Sequence, residues 1–197
     1  MLRIGVTGLM ASGKTTVARR FHERGAALIE GDALGWSVLR RPAVRDALAA
    51  VFGPGVLGAD GEVDRSALGR AVFRDPAAMA RLNAVVQPVL LPRVREALAA
   101  AGAPVVVLDA ALLTAWGLEP ELDGVVEVTA PAAVRIRRLM SARGFDEPEA
   151  RERVEGQELP PVHGARRHWK IENNGDSAAL VRQADAVWEE IRALSSG

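Results

Sequence analysis

The chain has 197 residues, 49% of them hydrophobic, with 25 Lys plus Arg balanced by 25 Asp plus Glu and no cysteine. That length can bury one good core, and a net charge of zero supplies no global field for nucleic acid or an anionic membrane. The missing cysteines remove disulfides, thiolate nucleophiles and zinc–sulfur sites, which fits a reducing compartment and leads us to expect a cytoplasmic protein. No stretch reaches the ~18 uninterrupted apolar residues of a membrane-spanning helix, and the apolar run near Met1 is too short for a signal peptide. A soluble protein with no membrane partner is expected.

The first element is a buried strand over Leu2 to Thr7, followed by a Gly-rich turn and a helix in which Val17, Ala18 and Phe21 share one face. Gly25 reads as the helix stop. Ala26 to Ile29 makes a second strand that ends at Glu30-Gly31-Asp32. From Ala33 to Gly102 the pattern is helical, broken at Pro42, at Phe52 to Gly55 and at Asp75-Pro76, where Asp caps and Pro opens the next helix. Pro104 to Asp109 and Gly124 to Thr129 are continuous apolar runs of the kind buried on both faces of a parallel sheet. Pro131 opens a helix to about Arg143, and a charged stretch follows as far as Pro160-Pro161. Trp169 to Glu172 is a last strand, and Ser177 is expected to cap a final helix with Leu180, Ala184, Val187, Trp188 and Ile191 on one face. Strands alternating with helices predict an α/β fold, a parallel sheet covered by helices on both faces, in a single domain spanning residues 1–197.

Gly8 to Thr15 reads GLMASGKT, a full match to G-x-x-x-x-G-K-[ST], and it lies between a strand and a helix. Glycines at such a place let backbone N–H groups turn inward around phosphate oxygens, and the helix N-terminus adds partial positive charge. The candidate nucleotide-binding residues are therefore Gly8, Ala11, Ser12, Gly13, Lys14, Thr15 and Thr16. Lys14 would reach the β- and γ-phosphates of ATP, and the Thr15 hydroxyl would ligate Mg2+. The chain holds only two lysines, Lys14 and Lys170, among 25 cationic side chains. A Lys at the one position where a compact ammonium must fit against phosphates points to a specific requirement, because guanidinium is not equivalent there.

The remaining motifs are GLMASGKTTVARRF, LIEGD, FGPGVLGADGEVDRSALGRAVFRD, an LN soon followed by Pro, VVVLDAALL, VVEVTAPAAVRIRRLMSARG, Gln157 and IENNG. In order and spacing they resemble the dephospho-coenzyme A kinase family over almost the whole chain. The resemblance implies a P-loop NTPase-type sheet, a helical acceptor-binding insertion over 33–102 and a lid over about 138–165. It also implies ATP with Mg2+ and a small-molecule acceptor, dephospho-CoA, phosphorylated on the ribose 3′-hydroxyl.

By the same resemblance Asp32 matches the second acid of a D-x-D segment beside the acceptor hydroxyl, with Glu30 in place of the first. A carboxylate there can accept the hydroxyl proton or help position the metal, and it can also cap a helix beginning near Ala33. Asp109 ends an apolar strand, where a carboxylate must be paired or near a cation; it is a candidate for the magnesium site or a structural hydrogen-bonding residue. Arg135, Arg137, Arg138 and Arg143 cluster on one helix, which alone would read as a solvated basic face. The resemblance places Arg138 and Arg143 in the lid over ATP, and Asn173 near the adenine, where a plain turn is the other reading.

Two departures fall on the acceptor side. The family's His-Pro is Gln87-Pro88, and its P-L-L-x-E segment runs from Ala111 to Ala115 without the Pro or the Glu. A lost polar contact of this kind changes substrate discrimination. A switch GTPase is the competing class, since Asp32 to Gly35 matches D-x-x-G, but no N-K-x-D guanine-reading motif occurs. Neutral charge and few aromatics argue against a nucleic-acid partner.

Overall fold

The computed structural model describes residues 1–72, 75–158 and 160–195, except for the side chain of Arg143. Two compact units divide the chain: residues 1–31 with 98–197, and residues 32–97.

The first unit is built on a five-stranded, wholly parallel sheet, the α/β architecture expected from the alternating pattern. Its strands are β1 (Leu2–Thr7), β2 (Ala27–Glu30), β3 (Val105–Asp109), β4 (Gly124–Thr129) and β5 (His168–Glu172), in the order β2-β3-β1-β4-β5. Every residue of β3 is buried, whereas the edge strands β2 and β5 are partly exposed. This gradient is why β3 reads as a continuous apolar run up to Asp109. Helix α1 (Lys14–Glu23) follows β1, and its Val17, Ala18 and Phe21 enter one core with Ile4, Val6, Val107, Val126 and Val128. The C-terminal helix α8 (Ser177–Ser195) completes that core with Leu180, Ala184, Val187, Trp188 and Ile191, and the Phe21 and Trp188 rings lie 5.6 Å apart.

In the second unit lie α2 (Gly31–Leu39, from its second residue), α3 (Pro42–Phe52), α4 (Arg65–Val72) and α5 (Pro76–Ala100, as far as residue 97). Val38, Val44, Leu48, Leu68, Leu90 and Val94 are buried. Asp75 caps α5 as expected, its Oδ1 accepting from Ala78 N–H at 2.9 Å. The remaining helices, α6 (Ala132–Arg143) and α7 (Glu147–Glu155), pair in the first unit through a small cluster of Ile136, Leu139, Ala150 and Val154.

Two expected boundaries shift. Helix α8 begins at Ser177, and the cap is Asp176, whose Oδ1 accepts from Ala178 N–H at 2.9 Å. Helix α2 begins at Gly31, so Asp32 lies inside its first turn instead of capping a helix that starts at Ala33. Among the described residues no helix is long and apolar enough to cross a membrane.

Candidate functional site

In a parallel sheet the ligand crevice lies outside the carboxyl ends of the strands, where neighbouring connections diverge. The central strand β1, flanked by β3 and β4, delivers the Gly8–Gly13 loop to that edge. Gly8 passes so close to β4 that a Cβ there would strike Val128 O and the Ser12 hydroxyl. Gly13 sits at φ 104° as the N-cap of α1, and a Cβ would collide with the Asn173 amide. Ala11, with φ 62°, is a non-glycine residue in the left-handed region, which is unfavourable for an L side chain.

Three observations suit this loop to a phosphate. Helix α1 starts without a side-chain cap or a first-turn acid, so its partial positive charge is left for a ligand. The Ser12 hydroxyl is buried and has no hydrogen-bond partner among the described residues. Gly8 and Gly13 let the loop backbone pass where a Cβ would collide with its protein neighbours. Thr15 and Thr16 stand in the first turn of α1, Thr15 half-buried and Thr16 exposed.

Lys14 Nζ lies 2.8 Å from Asp109 Oδ1, with side chains 12% and 5% exposed. The strand register explains the meeting, because Asp109 is the last residue of β3 and pairs with Val6 on one side and Glu30 on the other. The cation that Asp109 needed at the end of an apolar strand is therefore Lys14. Lys14 is thus half-buried, held against a buried carboxylate.

Arg138 also turns toward the loop. Its Nη1 donates to Ala11 O at 2.9 Å and to Ser12 O at 3.3 Å, and its Nη2 donates to Asn173 Oδ1 at 2.7 Å. Asn173 is buried and donates through Nδ2 to Ser12 O at 2.7 Å. Burial, with the neighbouring Arg137 charge second, lowers the Arg138 pKa from its ordinary value. Arg138 and Asn173 thus satisfy carbonyls of the Gly8–Thr15 loop. We expect Arg138→Ala to weaken ATP binding and turnover together, each by ~10-fold, because a loosened loop is a poorer ground-state site as well as a poorer catalyst. Calorimetric ATP titration beside steady-state rates checks this; a loss confined to turnover would instead mark Arg138 as acting on the transferring phosphoryl alone.

Arg135 and Gln157 belong to the same surroundings. Arg135 is buried, which lowers its pKa, and its Nε donates to Met10 O at 2.8 Å. Sequence reasoning saw Arg135 only as one member of a basic helix and Gln157 only as a family landmark. The signal that would have found Arg135 is its spacing on α6 relative to Ile136 and Leu139, which places it on the inward face. The Arg143 side chain lies outside the described residues. Asp32 belongs to the other compact unit and is exposed in the first turn of α2, two residues beyond the end of β2.

A family model described as dephospho-CoA kinase matches residues 2–179. Curated relatives of that description include a Moorella thermoacetica protein, 39% identical over 98% of this chain and 93% of its own length. A Geobacillus kaustophilus protein is 38% identical over 98% of both chains. A Mycolicibacterium paratuberculosis relative is 39% identical over 96% of this chain, which spans about half of that longer protein (47%). Among solved structures, a Thermus thermophilus protein is 34% identical with a TM-score of 0.76, covering 96% of this chain and 97% of its own. A Campylobacter jejuni dephospho-CoA kinase, at 20% identity, a TM-score of 0.56 and 96% coverage of each chain, shares the fold.

Proposed function

The chain belongs to the dephospho-CoA kinase family, and from that premise we propose that it transfers the γ-phosphoryl of ATP to the ribose 3′-hydroxyl of dephospho-CoA, giving CoA and ADP. The observation that carries this reading is the Gly8–Thr15 cradle with Lys14 at its base, set in a chain that matches the family almost end to end.

Phosphoryl transfer asks the protein chiefly for positioning and for charge opposite the equatorial oxygens. The loop N–H groups and the α1 N-terminus would hold the β- and γ-phosphates. Lys14 would exchange Asp109 for phosphate oxygens, and the freed carboxylate would then face the metal with the Thr15 hydroxyl. These are hard oxygen donors of the kind Mg2+ takes, and bound there the ion would offset charge on the phosphates. Among the described residues no cluster of three acidic or histidine side chains exists. A site with so few protein oxygens suits an ion that keeps waters and phosphate oxygens as its other ligands. Asp32 would take the proton from the acceptor hydroxyl as its oxygen bonds to the γ-phosphorus, and the bridging oxygen would leave with ADP. Asn173 we assign to the adenine end of the site. We place the reaction in the cytoplasm, in keeping with a chain free of cysteine.

The acceptor is tested with Mg-ATP and a panel of dephospho-CoA, adenosine, nucleoside monophosphates, pantetheine and shikimate. ADP release is expected chiefly with dephospho-CoA, and the product should carry its new phosphate on the ribose 3′-oxygen. Gln87 and Ala115 stand where the family has His and Glu, so restoring both should lower KM for the acceptor. Release of ADP only with another hydroxyl compound would overturn the acceptor while leaving the kinase chemistry in place.

A further inference from the structure

A loop that turns its N–H groups inward around phosphate turns its carbonyls outward, and each outward carbonyl needs a donor. Ala11 O and Ser12 O are served by Arg138 and Asn173. Met10 is held at both of its polar backbone atoms. Gln157 Oε1 accepts from Met10 N–H at 2.6 Å, and Arg135 Nε donates to Met10 O at 2.8 Å. Arg135 Nη2 also donates to Gln157 Oε1 at 3.3 Å, which closes a ring of three residues. The Met10 side chain packs with Ala11 against Ile136, Leu139, Ala150 and Val154, so the outer wall of the loop rests on the α6–α7 pair.

The choice of residue at 135 is informative. Arg135 is 4% exposed, and its hydrogen bonds among the described residues go to neutral oxygens, with no carboxylate. Burying a guanidinium without a counter-charge is unfavourable, and a neutral donor would satisfy Met10 O at lower cost. A positive charge buried behind the loop becomes favourable when the loop encloses a polyanion.

We propose that Arg135 and Gln157 are positioning residues for phosphoryl transfer: by gripping the two sides of Met10 they fix the peptide planes of the phosphate loop, and so the inward aim of the N–H groups that meet the phosphates of ATP. Neither side chain touches the reacting atoms; both act through Met10. The inference rests on the reading of this loop as the ATP site.

The test uses the full chain, Mg-ATP as the titrant, and the variants Gln157→Ala, Arg135→Lys and their combination. Arg135→Lys keeps the charge and loses the forked donation. At a temperature well below unfolding, each single variant should bind ATP about tenfold more weakly and turn over at least tenfold more slowly, with KM for the acceptor within about twofold of wild type, because misplacing the loop affects the phosphates first. The double variant should lose little beyond the worse single one, since both side chains act on one peptide. ATP affinity unchanged in Gln157→Ala would overturn the proposal. Equal rises in KM for ATP and acceptor would do so too, as would fully additive losses. Lack of ATP binding by the wild-type chain would overturn the ATP reading with it, whereas wild-type binding with unaffected variants sinks the positioning role alone.

Discussion

Replacing Lys14 with alanine is expected to lower turnover by ~10²–10³-fold or more, the scale of losing one preorganised donor from a charged transition state. It should also destabilise the fold. The reason is Asp109, whose side chain is 5% exposed and whose Oδ1 lies 2.8 Å from Lys14 Nζ. Removing the ammonium leaves a carboxylate buried at the end of β3 without this cation, and breaking such a pair costs about 3–5 kcal/mol. The two effects separate in a second variant. Lys14→Ala combined with Asp109→Asn removes the stranded charge, so its melting temperature should recover toward wild type while turnover stays lost. Thermal unfolding of wild type, Lys14→Ala and the double variant, with ADP release measured on each, decides the matter. Equal melting of Lys14→Ala and wild type would mean that the ion pair carries no stability.

The sheet was legible because its central strands are buried on both faces. Ile4 to Thr7, Val105 to Asp109 and Val125 to Val128 leave little for any other element to explain, and the helices between them force parallel strands. The Gly8–Gly13 turn was legible for a different reason: its backbone geometry excludes most side chains, and the restriction is written as Gly8 and Gly13. What surrounds the loop was far less visible. The grip of Arg138 and Asn173 on Ser12 O spans separations of 126 and 161 residues, and its acceptor is a main-chain atom that every residue carries. No local pattern encodes a partner of that sort. The same holds for Lys14 and Asp109, where each residue was singled out alone but the strand register that joins them emerges only in the folded sheet. The small shifts at Asp32 and Asp176 have a local cause. Consecutive residues such as Asp176-Ser177 both suit a cap, and helix ends read from sequence carry an ambiguity of one or two residues.

Asp32→Asn is the second substitution with a large expected effect. Asparagine keeps the size and a hydrogen-bonding oxygen but removes the charge and nearly all basicity, so a positioned proton acceptor would be lost with little change in shape. Turnover should fall by roughly 100-fold or more while ATP affinity stays within a few-fold, because the phosphate cradle is built from other residues. Asp32 is exposed in the first turn of α2, where an acid gains about 0.3–1 kcal/mol from the helix dipole, a small effect beside the expected loss of turnover. Asp32→Glu provides the complementary arm: it restores a carboxylate one methylene further out, which satisfies the helix terminus equally well but misplaces a base that must reach a particular hydroxyl. If Asp32 is the proton acceptor, Asp32→Glu should remain well below wild type in turnover while matching it in melting temperature. Turnover of Asp32→Asn within a few-fold of wild type would mean that Asp32 is not the proton acceptor, and the acceptor proton would then have to leave by another route.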